Sequence, residues 1–377
     1  MQRRTIVILI TTVLILISIG VVMLASASMV TGSSRDAAYF IKRQLLWLAI
    51  SFSVAFICTQ INLRWIRRMA IPFALFCIAL LVIVRIPGIG VNVNGSWRWL
   101  RFGPFTLQPS ELAKIGIILT TAWWIATQRR YMNTFKRGTL VPVSILGVFA
   151  VLLLVEPDFG TTALIAVVTV TMIFAAGSQL IYLLGAGLLG GAAFGFMLWK
   201  NPNRMGRILA FLDPEKYAQT EAWQLINGIT AFAAGGRYGV GLGNSIQKHH
   251  YLPEAHTDFI FPIIGEEFGL PATLIILLLF LVIFICGLCI SARASDDFGR
   301  FTALGCTLML TTQAVINIAV VTGSVPTKGL SLPFISYGGS SLMTSFAMIG
   351  ILVNIAHASR SPKEKKRQAL FKDKKRG

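Results

Sequence analysis

Ten apolar runs, each about 17 residues or longer, follow one another along the chain with polar stretches between them. They occupy roughly residues 5–29, 45–61, 69–86, 111–127, 139–155, 160–176, 179–199, 265–291, 301–322 and 341–357. A helix rises about 1.5 Å per residue, so runs of this length cover the roughly 30 Å hydrocarbon core of a bilayer. The pattern predicts an all-α polytopic membrane protein of about ten transmembrane helices. It also predicts one large connection, residues 200–264, between the seventh and eighth spans.

Composition supports this reading. Hydrophobic residues make up 55% of the chain and charged ones 13%, roughly half the charged share of a soluble domain. The net charge of +19 would suit a nucleic-acid partner, but no folded basic domain carries it, so that class is set aside. Nine Lys and Arg residues lie between Arg360 and Arg376, and others sit in short loops. Arg64, Arg67 and Arg68 follow the second span; Arg129, Arg130, Lys136 and Arg137 follow the fourth; Arg293 and Arg300 follow the eighth. With Arg3, Arg4 and the tail, these segments hold 20 of the 34 basic residues, all on one side if the spans number ten. The positive-inside rule makes that side cytoplasmic and places both termini there. The chain then divides into a transmembrane domain, 1–359, and a basic cytoplasmic tail, 360–377.

Arg3-Arg4, the apolar stretch and Ala25-Ser26-Ala27 mimic a signal peptide, but the run from Thr5 to Met29 is too long for a signal core and reads as the first span. All five cysteines fall inside apolar runs. Cys286 and Cys289 form a CxxC with no second pair to complete a zinc site, so they read as small buried residues.

The candidate chemistry lies in the loops of the opposite, external face. Residues 249–269, HHYLPEAHTDFIFPIIGEEFG, set Glu254, His256, Asp258 and Glu266 against the start of an apolar run. A carboxylate at a membrane edge is costly to keep ionised and by default suggests function. Thr257 or Asp258 could equally cap the helix that follows. Trp97, Trp99 and Phe102 fit either an interfacial aromatic belt or a site, and Arg98 and Arg101 fit a headgroup or a particular phosphate. Glu111 and Lys114, three apart, share a helix face; they form a mutually neutralising pair, or Lys114 faces a substrate anion. Glu156 and Asp158 read as solvated turn residues at a span end. GGRYGVGLGNS, residues 235–245, lacks the flanking strand of a nucleotide loop and reads as a flexible loop whose N–H groups can approach an anion. His249-His250 reads as exposed polar sequence rather than a metal site. Four polar loops on one face could converge on a single cavity open to the outside.

Late in the ninth span and just after it come Asn317, Gly323, Pro326, Gly329 and FISYGGSS, Phe334 to Ser341, which resemble the signature of the SEDS family (shape, elongation, division and sporulation). PEAHTDFIF with GEE, NGSWRWL with QPSELAK, EPDFGT and GGRYGVGLG are similar to family segments in the same order, so the resemblance spans roughly residues 10–357. Ser324 departs from the apolar residue usual in the family. PTKGLSLPFISYGGSS is closer to the division branch of the family than to its elongation branch.

The resemblance implies a multi-pass enzyme of the plasma membrane, active on the external face at the division septum, that polymerises lipid II into glycan strands. It also implies partnership with a class B penicillin-binding protein transpeptidase and other division proteins. Asp258 matches the family's essential aspartate and is expected to act as general base, with inversion at the donor's anomeric carbon. Arg98, Arg101, Lys114 and Lys328, with Glu111 beside them, are expected to hold the diphosphate. Glu254, His256, Ser336, Gly338 and Gly339 are expected to support the loops. A divalent cation, magnesium or manganese, is the one candidate cofactor, with its ligands unassigned. A lipid II flippase and a non-catalytic scaffold stand as alternatives. The eighth and ninth spans are expected to offer the groove for the partner's transmembrane helix.

Overall fold

A computed structural model describes residues 2–28, 37–93, 96–103, 105–248 and 256–359. Helices stand at all ten expected spans: α1 (Gln2–Ser28), α2 (Ala37–Gln60), α3 (Leu63–Ile83), α4 (Pro109–Gln128), α5 (Val141–Val155), α6 (Phe159–Ala175), α7 (Leu180–Trp199), α10 (Ile260–Ala292), α11 (Asp297–Val321) and α12 (Gly339–Ala358). Among the described residues, eight helices are long and apolar enough to cross a membrane. In that count α5 includes the π-helical lead-in over Phe135–Leu140. At 17 residues α6 falls just short of that length, and the polar first turn of α4, with Glu111 and then Lys114, dilutes its apolar run. The chain is a polytopic helical membrane protein.

Packing grades from the centre outward. α12 packs along α2 and is the most enclosed span; α4 and α11 are also largely buried, α11 lying against α10, α4 and α6. α7 is the least enclosed. Its glycines Gly185, Gly187, Gly190 and Gly191 have open space where a side chain would stand, so they do not serve close packing within this chain. Where helices do approach closely, glycine allows it. A Cβ on Gly339 would lie 2.1 Å from the Trp47 ring of α2.

Two features were not visible in the apolar pattern. The loop after α3 folds into an antiparallel sheet of β1 (Gly90–Val93), β2 (Ser96–Phe102) and β3 (Phe105–Leu107), in that order, pairing Gly90 with Leu100 and Leu100 with Leu107. Leu100 anchors it, buried with Leu80 and Val84 at the end of α3. The large connection contains two helices, α8 (Pro202–Leu212) and α9 (Trp223–Gly235), before the glycine-rich loop. α10 then breaks at Gly269, where φ is 71° and ψ is −163°, with Pro271 just beyond. Left-handed backbone of this kind carries little cost only for glycine.

The segment between α11 and α12 is not a surface loop. Leu330, Leu332, Phe334, Ile335 and Ser336 are buried, and a Cβ on Gly20 of α1 would lie 2.8 Å from the Ile335 Cα. Gly20 stands well inside the first span, so this non-helical stretch enters the depth of the bundle. Irregular backbone survives there only where protein surrounds it and meets its polar groups. Asn317 of α11 does part of that, donating to the Leu330 carbonyl at 2.6 Å, and the Ser336 hydroxyl accepts from the Leu332 N–H at 2.8 Å.

Candidate active site

The two loops carrying the strongest motifs meet at Asp258. Asn317 donates from the same side-chain amide to the Asp258 carbonyl at 2.9 Å and to the Leu330 carbonyl, so one residue of α11 ties both loops together. The Tyr337 N–H donates to the His256 carbonyl at 3.0 Å, and the His256 ring packs on Tyr337 and on Phe40 of α2. Asp258 itself is half-buried. A Cβ built on Gly329 would lie 2.6 Å from its Oδ2, so the glycine leaves room for the carboxylate.

A group of cations lies near the two loops, and one of them, Arg207, feels this carboxylate. Arg98 projects from the face of β2 that it shares with buried Leu100 and donates to the carbonyls of Glu156 and Pro157 at 2.8 and 2.5 Å. Arg204 of α8 donates to the same Pro157 carbonyl at 2.9 Å and lies over the Phe159 ring. One helical turn on, Arg207 feels the negative charge of Asp258 and of Glu221. Lys328, next to Gly329, is half-buried over the Phe194 ring and feels both Arg204 and Asp158. Burial, followed by repulsion from Arg207 and Arg98, lowers the Arg204 pKa to about 10. Arg207 is lowered by burial and then by Arg98, and Lys328 by burial and then by Arg204. Four cations held this close at a protein surface repel one another unless anions balance them, and the local carboxylates Asp158, Asp258 and Glu221 are fewer. The arrangement is suited to an anionic ligand.

Glu156 and Asp158 are not the solvated turn residues expected of a span end. Asp158 is buried and caps α6, accepting from the Thr161 N–H at 3.1 Å. Glu156 is fully buried, and neither carboxylate oxygen has a hydrogen-bond partner. Burial, with Asp158 adding to it against the opposing pull of Arg98 and Arg85, raises its pKa to about 8. That shift favours the neutral acid, and Arg98 and Arg204 donate to main-chain carbonyls rather than to its carboxylate.

Lys114 takes the first of its two expected readings. It is 0% exposed, with Nζ 2.7 Å from Glu111 Oε1 and 2.8 Å from Gln313 Oε1. Thr344 of α12 donates to the other Glu111 oxygen at 3.0 Å, and Gln313 reaches on to the Ser331 carbonyl at 2.8 Å. The pair is a buried staple between α4, α11 and α12, with two of the lysine's three N–H groups taken by Glu111 and Gln313. Arg101 stands exposed on the opposite face of β2 from Arg98, outside the cluster. Ser336, Gly338 and Gly339 shape the turn into α12. Glu254 and His249-His250 lie outside the described residues.

The glycine-rich loop also departs from expectation. Its Val240 and Gly241 N–H groups donate to the Glu266 and Glu267 carbonyls at 2.9 and 3.0 Å, so they are not open to an anion. Glu266 in turn accepts from the Ser245 hydroxyl and from the Ile246 N–H at 2.9 Å, while Lys248 pairs with Glu267 at 2.8 Å. Arg204 and Arg207 were overlooked in the sequence. Their signal was the i,i+3 arginine pair on one face of PNRMGRILAFL, a strongly amphipathic stretch inside a connection with no obvious helix.

An apolar groove lies apart from this cluster, between α2, α3, α4 and α12. Its volume is ≈ 450 Å³, and Val54, Trp65, Phe73, Leu112, Met343 and Ile351 are among its lining residues, none of which is charged.

Comparison with known proteins agrees with this architecture. Residues 6–361 match the FtsW/RodA/SpoVE cell cycle protein family model. The chain is 43% identical over 346 residues to a probable peptidoglycan glycosyltransferase FtsW of Trichlorobacter lovleyi, covering 91% of each chain. It is 37% identical to the stage V sporulation protein E of Bacillus subtilis, covering 92% of this chain and 95% of that one. Its fold is similar to a chain of a peptidoglycan synthase complex that coordinates polymerization and crosslinking, with a TM-score of 0.77 and 24% identity over 94% and 98% of the two chains. It is similar as well to the rod shape determining protein RodA of Thermus thermophilus, at 0.69 and 23% over 94% and 97%. The family match spans nearly the whole chain, including both loops that meet at Asp258, and the chain belongs to the FtsW/RodA/SpoVE family of cell cycle proteins.

Proposed function

We propose that the chain is a septal peptidoglycan glycosyltransferase that polymerises lipid II, with Asp258 as its general base. The observation that carries this is the half-buried Asp258 carboxylate, set against Gly329 where two loops are clamped together and sensed by Arg207, one member of an arginine and lysine cluster. The acceptor sugar's 4-hydroxyl oxygen attacks the donor's anomeric carbon as its proton passes to Asp258. The bond from that carbon to the diphosphate oxygen breaks, and the configuration inverts. Arg98, Arg204, Arg207 and Lys328 offset the charge that develops on the leaving diphosphate. The apolar groove among α2, α3, α4 and α12 is the right chemistry for a polyprenyl chain.

Among the described residues, no three His, Cys, Asp or Glu side chains come together as a metal cage. A magnesium or manganese ion at this site would rest on the substrate's diphosphate with one or two carboxylates, a binding style usual for hard cations. Asp258 is the carboxylate placed to contribute.

The partner is a class B penicillin-binding protein whose transmembrane helix lies along α10 and α11, within a division complex. Purified protein given labelled lipid II is expected to form glycan strands, with yield rising when that partner is added. Transport of lipid II across vesicles with no polymer formed would replace this reading with a flippase. Both termini are cytoplasmic and the site is external. Cysteine labelling of Ser359→Cys and Gln219→Cys in intact cells tests this: an impermeant reagent should reach position 219 alone, and reaction at 359 alone would invert the topology.

A further inference from the structure

The glycine-rich loop exposes four large apolar side chains within nine residues: Tyr238 at 85%, Val240 at 38%, Leu242 at 54% and Ile246 at 63%. Such a concentration on a loop marks a contact with protein or membrane. The level at which the loop sits identifies which. Two helices measure that level independently. From Thr5 to Ser26, α1 rises about 32 Å, one hydrocarbon thickness, and the Ser26 hydroxyl donates to Glu267 Oε1 at 2.6 Å. Beyond its break at Gly269, α10 runs from Leu270 to Ala292, about 33 Å, with Arg293 at its cytoplasmic end. Gly269 and Glu267 therefore stand at the external edge of the hydrocarbon.

The loop is bonded to that edge. Leu270 donates to the Gly236 carbonyl at 3.2 Å, and Val240 and Gly241 donate to the carbonyls of Glu266 and Glu267. A Cβ on Gly239 would lie 2.2 Å from the Glu267 oxygen, so the two backbones touch. Lys248, paired to Glu267 and bonded to Ser26 at 3.0 Å, closes the far end of the loop onto α1. The exposed apolar surface continues directly into Phe268, Leu270 and Leu274 on the outward side of α10. Exposed Arg237 sits beside Tyr238, an arginine–aromatic pairing suited to headgroup depth.

We infer that residues 237–246 form an interfacial anchor, with Tyr238, Val240, Leu242 and Ile246 inserted into the outer leaflet. The anchor holds the connection leading to Asp258 at the depth of the lipid headgroups. The occupant is lipid itself, because the patch is continuous with a lipid-facing helix at the level where hydrocarbon begins.

The test uses the full chain in nanodiscs of phosphatidylethanolamine and phosphatidylglycerol, without any partner protein. The half-buried thiols Cys58 and Cys289 are replaced by serine, and a nitroxide is attached at Leu242→Cys or Ile246→Cys. Leu274→Cys on α10 is the lipid reference, and Gln219→Cys, exposed in the same connection, is the aqueous one. Collision with oxygen, which partitions into lipid, is compared with collision with a water-soluble nickel chelate. Labels at 242 and 246 should follow Leu274, with high oxygen and low nickel accessibility. If both follow Gln219, the anchor does not exist. If they shift from aqueous to protected only when a partner protein is added, the patch is a protein-docking surface and the lipid assignment is wrong. Either failure leaves the role of Asp258 untouched.

Discussion

Asp258→Asn is expected to abolish glycan polymerisation while expression, insertion and partner binding stay near wild type. The asparagine keeps the size of the side chain, and the Asn317 bond to residue 258 is to its main-chain carbonyl, so the loop clamp survives the change. What is lost is the proton acceptor, worth typically about a hundred- to ten-thousand-fold in rate. Asp258→Glu retains the charge but moves it by one methylene, and a displacement on the order of 1 Å costs about a hundredfold. Gly329→Ala displaces the same carboxylate from the other side, since the new methyl would stand 2.6 Å from Oδ2. It should impair turnover without removing any ionisable group. Glycan length from labelled lipid II, measured beside a partner pull-down, checks all three. Normal polymer from the asparagine variant would overturn the base assignment and move that role to another residue.

Lys114→Met is expected to be among the most destabilising single changes in the chain. It strips the buried Glu111 of its 2.7 Å partner and leaves a carboxylate with only Thr344 beside it. Removing one member of a buried ion pair costs roughly 3–5 kcal/mol, because the remaining charge keeps its desolvation penalty. Thermal unfolding in detergent micelles should register this as a clear fall in midpoint. The double variant Glu111→Gln/Lys114→Met removes both charges and should recover most of the loss, since a buried pair is often no better than neutral groups of similar volume. It also separates the two readings of Lys114. A stable double variant that polymerises confirms the staple, whereas a stable variant that cannot would return Lys114 to the substrate.

The outcome at Lys114 illustrates how far the sequence reaches. Spacing of three on a helix established that Glu111 and Lys114 share a face. It could not establish whether that face looked into the cavity or into α11 and α12, because this depends on the rotation of α4 within the bundle. Glu156 carried the same ambiguity. A carboxylate at a span end reads as solvated, and its burial arises only because β2 and α8 fold over the turn and place Arg98 and Arg204 on the adjacent carbonyls.

By itself the sequence determined the helical membrane class, the position of the helices at the ten apolar runs and the motifs that meet at Asp258. Those signals are local: apolar run length and contiguous residue identity survive without any knowledge of packing. Only the tertiary structure decided which cations share a site. Arg98 on β2, Arg204 and Arg207 on α8, and Lys328 before α12 are separated by up to 230 residues of chain, and no periodicity links a strand, an amphipathic helix and a buried loop. The same holds for the segment before α12. Its glycines and prolines read as an external loop, and its entry into the bundle depends on Asn317 and Gly20 supplying, from other helices, the hydrogen bonds and space that irregular backbone needs at that depth.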